Sequence, residues 1–399
     1  METVALEKTT KSSILQIIPV MFCFFAMGFV DLVGAASNFV QRDLSLSNSE
    51  ANLFPSLVFF WFLIFSVPTG MMMNKIGRKN TVLLSLVVTL LSLILPLFGN
   101  SYGIMLAAFS LLGIGNAIMQ TSLNPLVSNL ITPDKLASTL TFGQFVKAIA
   151  SFLAPIIMSW GAVAGGVTLG LDWRSVFAIY AVICLISVSI LGATPIQEEN
   201  PDKVSSILSC LKLLGKPFIL LCFVGIMCHV GIDVGTNTTA PKIVMERVSD
   251  VVLEDAAYAT VIYFICRTAG CFIGAFLLRV MKPKIFFGIS VVIMLAAMII
   301  LFTASSMALI FVGVGMIGFG NSNIFPIIFA QAMNHSQSEQ NEVSGLMIMG
   351  LFGGTVFPLC MGFASEGMGQ AGAIAIMTIG VAYLLYYTLR MKRPPVETR

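Results

Sequence analysis

Apolar residues in this chain do not alternate with polar ones; they run together in long blocks. A helix needs about 20 apolar residues to cross roughly 30 Å of hydrocarbon. Twelve blocks of that length occur, near residues 14–39, 51–72, 80–98, 103–131, 136–163, 173–193, 216–240, 256–279, 285–303, 306–332, 342–363 and 370–389. The pattern predicts an all-α membrane protein with twelve spanning helices. One long polar connection, residues 194–215, carries Glu198, Glu199, Asp202 and Lys203 ahead of a short amphipathic stretch, SSILSCLKLLG. It divides the chain into a bundle at 1–193, a cytoplasmic linker at 194–215 and a second bundle at 216–399.

Composition agrees with the pattern. Of 399 residues, 57% are hydrophobic and 10% charged, and the mean hydropathy is +0.95. A water-soluble fold of this size would be left with large exposed apolar patches. Basic residues set the orientation, because cytoplasmic loops carry the Lys and Arg excess. Sixteen of the 22 fall in the termini, the linker and the alternate loops that include Lys75, Arg78, Lys135, Arg279 and Lys282, against four, Arg42, Arg174, Lys242 and Arg247, on the other side. Both termini are therefore expected in the cytoplasm and the chain in a bacterial-type inner membrane. The net charge of +3 follows from this bias rather than from nucleic-acid binding. The eight cysteines lie in or beside apolar blocks without metal-ligand spacing and read as small buried hydrophobes.

The halves repeat one another at an offset of about 202 residues. GFVDLVGAASN places Asp31 before Gly34 in the first block, and GIDVGTNTTAP places Asp233 before Gly235 in the seventh. QTSLNP in the fourth block answers NSNIFP in the tenth, so that 94 residues separate Asp31 from Pro125 and 93 separate Asp233 from Pro326. Gly143 and Pro155 match Gly345 and Pro358. Two parallel six-helix repeats with proline and glycine interruptions resemble the major facilitator architecture, which binds substrate near the bilayer midplane. The loop GMMMNKIGRKN resembles that superfamily's signature, Gly-x-x-x-Asp-x-x-Gly-Arg-Lys, with Gly70, Gly77, Arg78 and Lys79 in place and Asn74 where the Asp is usual. The resemblance implies a gating loop at the inner surface, with the missing acid weakening any charge latch.

Within the superfamily, nearly the whole chain resembles the fucose and glucose/galactose permease branch. The matching stretches include LSNSEANLFPSLVFFWFLIFSVPTG, TSLNP, LTFGQFVKAIA, CRTAGCFIGAFLLR, NIFPIIF and GGTVFPLCMGFASEGMG. This implies a sugar symporter. Two departures stand out. Relatives of the branch use an Asp in the first span and a Glu in the fourth, where this chain has Gly34 and Gln120, and Asp31 precedes Gly34 by about one helical turn. Lys147 stands where relatives show Asn.

A charge at bilayer depth costs roughly 2.5–3.5 kcal/mol on the lenient insertion scale, so it usually faces a polar path or a partner. Asp31, Lys147, Asp233 and Arg267 are thus the expected coupling and charge network, with Asp31 or Asp233 as partner of Lys147. An adjacent ammonium favours the ionised carboxylate and opposes proton uptake. Gln120, Asn124, Gln144, Asn237, Asn321 and Asn323 are the expected sugar ligands, because hydroxyls leave water only when each bond is replaced. His229, one turn before Asp233, is a candidate proton shuttle or a packing residue.

No phosphate-cradling loop, HExxH or nucleophile elbow occurs, so no enzyme and no cofactor or metal is expected. The reading is a monomeric secondary transporter that imports a neutral hexose or deoxyhexose, such as fucose, glucose or galactose, by alternating access, coupled to a proton. Sodium coupling, an uncoupled carrier, an exporter of amphipathic compounds and a sugar sensor are the alternatives.

Overall fold

The computed structural model of the chain describes residues 16–46, 48–163, 170–196, 198, 206–249, 251, 256 and 258–391. Among the described residues there is no strand. Twelve helices among the described residues are long and apolar enough to cross a membrane: α1 (Gln16–Gly34), α2 (Leu53–Ile76), α3 (Arg78–Phe98), α4 (Tyr102–Leu130), α5 (Leu136–Ala162), α6 (Asp172–Ala193), α7 (Pro217–Arg247), α8 (Tyr258–Val280), α9 (Pro283–Thr303), α10 (Met307–His335), α11 (Gln337–Met368) and α12 (Gln370–Arg390). They fall on the twelve apolar blocks. Lys8, Lys11, Lys203, Lys392, Arg393 and Arg399, which carry part of the orientation reading, lie outside the described residues, as do Glu199 and Asp202.

Local chemistry sets the helix ends. Ser101 and Ser306 stand at equivalent points of the repeat, before α4 and α10, and each hydroxyl accepts the amide three residues on, Ile104 and Leu309. This is the usual N-cap bond, worth about 1 kcal/mol. Pro217 and Pro283 open α7 and α9, where a missing amide proton costs nothing. Gly77 (φ 84°) and Gly369 (φ 59°) precede α3 and α12 in the left-handed region, so the short α2–α3 and α11–α12 turns depend on glycine.

The chain forms two compact units. The first comprises the described residues up to Thr132, then Gly143–Cys210 and Glu339–Met349; the second comprises Pro133–Phe142, Leu211–Ser338 and the described residues from Gly350. Compared with a division at 193 and 216, the opening of α5 counts with the second unit and the opening of α11 with the first. The linker includes a short helix, Ile207–Lys212.

Three spans are interrupted. In α1 a 3-10 turn, Gly28–Asp31, leads into a further helix, Leu32–Asp43. In α10 the helix Met307–Asn321 stops and Ile324–His335 begins after Ser322 and Asn323. In α11 a 3-10 turn, Gly350–Phe352, joins Gln340–Met349 to Gly353–Met368. Breaks at membrane depth persist only where neighbours satisfy the freed backbone.

Small residues let the helices touch. In the first unit a Cβ on Gly28 would collide with the Lys147 carbonyl of α5, and one on Gly143 would lie 2.7 Å from the Phe24 ring. In the second unit a Cβ on Gly353 of α11 would collide with the α7 backbone at Met227. The same close crossing thus occurs at α1–α5 and α7–α11, as the repeat requires, because in a bilayer helices associate through close packing and small residues permit it.

Candidate functional site

In the first unit the 3-10 turn ends on Asp31 and delivers it to α5. Lys147 Nζ lies 3.7 Å from Asp31 Oδ2. Ser151, one turn further along α5, donates its hydroxyl to the same oxygen at 2.5 Å. The Asp31 side chain is 41% exposed and that of Lys147 16%. Neither interaction uses Oδ1. Of the two partners expected for Lys147, the first unit holds Asp31; Asp233 belongs to another cluster. Beside the pair, a Cβ on Gly34 would meet nothing within 4 Å, so there is open space at that position.

A ladder of amides on α4 supports this arrangement. Asn116 donates to the Met27 carbonyl at 2.7 Å, the last residue before the 3-10 turn, and so satisfies backbone freed by the break. Gln120 donates to Asn116 Oδ1 at 2.7 Å, and Asn124 to the Gln120 carbonyl at 2.8 Å. Phe29 stacks on Tyr180 with ring centroids 4.0 Å apart, fixing the outer side of the turn.

In the second unit Asp233 of α7 has both oxygens occupied. Tyr263 of α8 donates its hydroxyl to Oδ1, and Arg267, one turn on, pairs with Oδ2 at 3.2 Å. Asn321, at the break in α10, donates to the His229 carbonyl at 3.1 Å and to the Tyr263 hydroxyl at 3.5 Å, while its Oδ1 meets His229 Nδ1 at 2.8 Å. His229, Asn321, Tyr263, Asp233 and Arg267 thus form one chain of contacts through α7, α8 and α10. An amide cannot pass a proton on readily, so Asn321 serves as a bracket.

The expected sugar ligands divide by how their amides are used. Asn321 is fully committed to its neighbours. Asn237 donates to the Asp233 carbonyl at 2.9 Å, and Asn323 to the Gly270 carbonyl at 2.9 Å. In Asn124, Asn237 and Asn323 the carbonyl oxygen, and in Gln144 Nε2, is buried without a hydrogen-bond partner among the described residues. An unpaired buried polar atom costs about 1–3 kcal/mol, a cost that a hydroxyl-bearing ligand or water relieves. Asn124 and Asn323 are almost wholly buried, at 0% and 1% exposure, and Asn323, through Gly270, also ties α10 to α8.

The α2–α3 loop is knitted into the first unit. A Cβ on Gly70 would sit 2.7 Å from the Asn341 carbonyl at the opening of α11. Arg78 donates to Asn341 Oδ1 at 2.7 Å, Gln340 Oε1 at 3.0 Å, the Pro125 carbonyl at 3.0 Å and Asn129. Lys79 donates to the Gly192 and Thr194 carbonyls at 3.0 and 2.7 Å. Glu198 accepts the amides of Arg78 and Lys79, both at 2.5 Å, a carboxylate on the positive end of α3. Asn74 does not leave the loop without an acid. Its amide donates to Glu342 Oε1 at 2.6 Å, and Asn341 donates back to Asn74 Oδ1 at 2.6 Å.

Three residues of these clusters escaped the sequence reading: Asn116, Ser151 and Tyr263. Each lies four residues from a named one, Gln120, Lys147 and Arg267, and so on the same helix face. That spacing was the available signal.

Among the described residues, twelve apolar helices, three of them interrupted, and ion pairs at membrane depth define a polytopic membrane protein. The family model of the Major Facilitator Superfamily matches residues 17–358, and the chain belongs to that superfamily. Over 387 residues it is 26% identical to the glucose/galactose transporter of Brucella abortus, covering 92% of this chain and 91% of that protein. Identity to the L-fucose-proton symporter of Escherichia coli is 20% over 367 residues, 83% of this chain and 82% of that one. Among solved structures, the E. coli fucose:proton symporter FucP superposes with a TM-score of 0.83 at 17% identity over 96% of this chain and 100% of that one. The proton:xylose symporter XylE bound to 6-bromo-6-deoxy-D-glucose gives 0.75 at 15% identity, covering 96% of each chain.

Proposed function

We propose that this transporter imports a neutral monosaccharide, a hexose or deoxyhexose, by alternating access from the cell exterior, with both termini in the cytoplasm and a proton as the coupling ion. Sugar specificity is supported by relatives named for glucose, galactose and fucose and by the half-used amides of Asn124, Gln144, Asn237 and Asn323. Such groups suit a solute offering several hydroxyls that each donate and accept.

The observation that carries the coupling assignment is the contrast between the two acids. Asp31 is partly exposed and held on one oxygen by a 3.7 Å ion pair and a serine hydroxyl. Asp233 is engaged on both. A coupling carboxylate must exchange its partner during the cycle, and Asp31 is the one arranged to do so. Lys147 then acts as the internal cation that takes the carboxylate when no proton is bound. Asp233, with Arg267, Tyr263 and Asn321, holds the second unit together.

Counterflow in proteoliposomes with labelled hexoses and deoxyhexoses, followed by uptake under an imposed proton or sodium gradient, tests both parts. Absence of counterflow with every sugar refutes the cargo. Accumulation that survives a protonophore refutes proton coupling in favour of sodium, and equilibration without accumulation under either gradient favours the second reading, an uncoupled carrier, in which Lys147 neutralises Asp31 throughout the cycle.

A further inference from the structure

In the first unit one hydroxyl stands between the carboxylate and the backbone of the proposed coupling pair. Serine and threonine within a helix often turn the hydroxyl back to a carbonyl one turn earlier. Ser66, Thr121, Ser122 and Ser187 of the same unit do so. Ser151 has the equivalent acceptor, the Lys147 carbonyl at 3.2 Å, yet its shorter bond leaves the helix and goes to Asp31 Oδ2 at 2.5 Å. A hydroxyl has a single hydrogen to donate, so it serves one of the two acceptors at a time.

Packing fixes both acceptors. The Lys147 carbonyl is the atom that a Cβ on Gly28 would strike, and Asp31 ends the 3-10 turn that Gly28 begins. The α1–α5 crossing therefore keeps carboxylate, hydroxyl and carbonyl within reach of one another. The second unit lacks the device. The offsets that relate Gly143 to Gly345 and Pro155 to Pro358 place Gly353 or Gly354 at the position of Ser151, and Asp233 takes its hydroxyl from Tyr263 of α8 instead.

Few other groups act on this carboxylate. Lys147 is the cation beside it, at 3.7 Å. Tyr180 of α6 lies close enough to interact with it, but the tyrosine hydroxyl is spent on the Ala150 carbonyl at 2.6 Å. From α4 the turn meets the uncharged Asn116, and α2 carries no charge before Lys75. Among the described residues Ser151 is thus the one side chain that donates a hydrogen bond to Asp31.

We propose that Ser151 is a positioning residue for proton coupling, a role that rests on Asp31 being the coupling acid: it donates to the ionised carboxylate and turns to the Lys147 carbonyl once a proton is bound. A bond to the charged oxygen is roughly twice as strong as a neutral one, which keeps the hydrogen on Asp31 while the acid is ionised. When Oδ2 takes a proton it becomes the donor, Ser151 Oγ accepts, and the serine hydrogen moves to the carbonyl at 3.2 Å. One proton enters and none leaves, and neither state strands a donor.

An infrared titration of the purified full-length protein tests this, following the protonated-carboxyl band that Asp31→Asn removes, with thermal unfolding as the check on folding. Ser151→Ala should move the midpoint of that band up by about one pH unit, because the ionised form loses the stronger bond. Ser151→Thr, which keeps the hydroxyl, should restore the parent midpoint, and Ser151→Cys, a weaker donor, should fall between the two. An unchanged midpoint in Ser151→Ala and Ser151→Cys, or a shift that Ser151→Thr shares, overturns the proposal. The titration needs no sugar, so a normal Ser151 shift beside accumulation that survives a protonophore overturns the coupling assignment alone. Absence of any band that depends on Asp31 overturns both.

Discussion

Lys147 and Asp31 meet at 3.7 Å because a 3-10 turn in α1 and a glycine at position 28 bring the α1 backbone against the Lys147 carbonyl. The distance is longer than a hydrogen bond, and the closer contact to the carboxylate is Ser151 at 2.5 Å. In the other unit Arg267 is nearer to its acid, at 3.2 Å, and Tyr263 completes the grip. Two acids that look equivalent in the repeat are thus held differently.

That difference predicts opposite phenotypes. Asp31→Asn should abolish accumulation driven by a proton gradient while sugar counterflow continues. Asp233→Asn should instead lower stability, because Arg267 loses the carboxylate it pairs with. Removing one partner of a fully buried pair costs about 3–5 kcal/mol, and here, with side chains 16% and 27% exposed, about 2 kcal/mol is expected. Uptake assays beside thermal unfolding of both variants decide the matter, and interchanged phenotypes would refute the assignment.

Gly28 and Gly34 differ by six residues and should respond in opposite ways to added bulk. At Gly28 a methyl group would meet the Lys147 carbonyl and lie 2.8 Å from Ala150 Cβ. Gly28→Ala should therefore cost about 1–3 kcal/mol, the range for overpacking, and impair coupled uptake with it. At Gly34 the space is open, so Gly34→Ala should be neutral. The double variant Asp31→Asn with Gly34→Asp, which moves the acid about one turn along the helix into that open space, should regain part of the gradient-driven uptake.

In the α2–α3 loop the acid stands on α11. Asn74 and Glu342 are joined at 2.6 Å, so Asn74→Asp would set two carboxylates in contact. Thermal stability should fall by about 1 kcal/mol or more through like-charge repulsion and a lost donor. Glu342→Gln in the same chain should restore it, since the new amide can then donate to the carboxylate introduced on the loop. Equal stability of the single and double variants would contradict the contact.

Cys210, in the short linker helix, is buried, and burial pushes its thiol up to about 11, with the Glu342 carboxylate acting in the same direction. The thiolate is the reactive form, so at pH 7.5 only on the order of one molecule in 10³ to 10⁴ carries it. A variant retaining Cys210 as its sole cysteine should react slowly with maleimide when folded and rapidly in denaturing detergent. Equal rates would show that the linker helix is not packed as described.

Much of the architecture is written in the chain itself. A block of about 20 apolar residues has one stable solution in a bilayer, the helix that satisfies its own backbone, so the twelve spans follow from composition. The repeat, the glycine loop at 70–79 and the four charges at membrane depth were likewise visible as sequence. Which partner each charge takes was not. Asp31 and Asp233 align in the repeat, yet one finds Lys147 and Ser151 on α5 and the other Tyr263 and Arg267 on α8. Pairing depends on the rotation of each helix and on backbone breaks, such as Gly28–Asp31 and Ser322–Asn323, that shift a side chain by a fraction of a turn. Those are set by long-range packing of small residues against distant helices, a quantity that no local pattern contains.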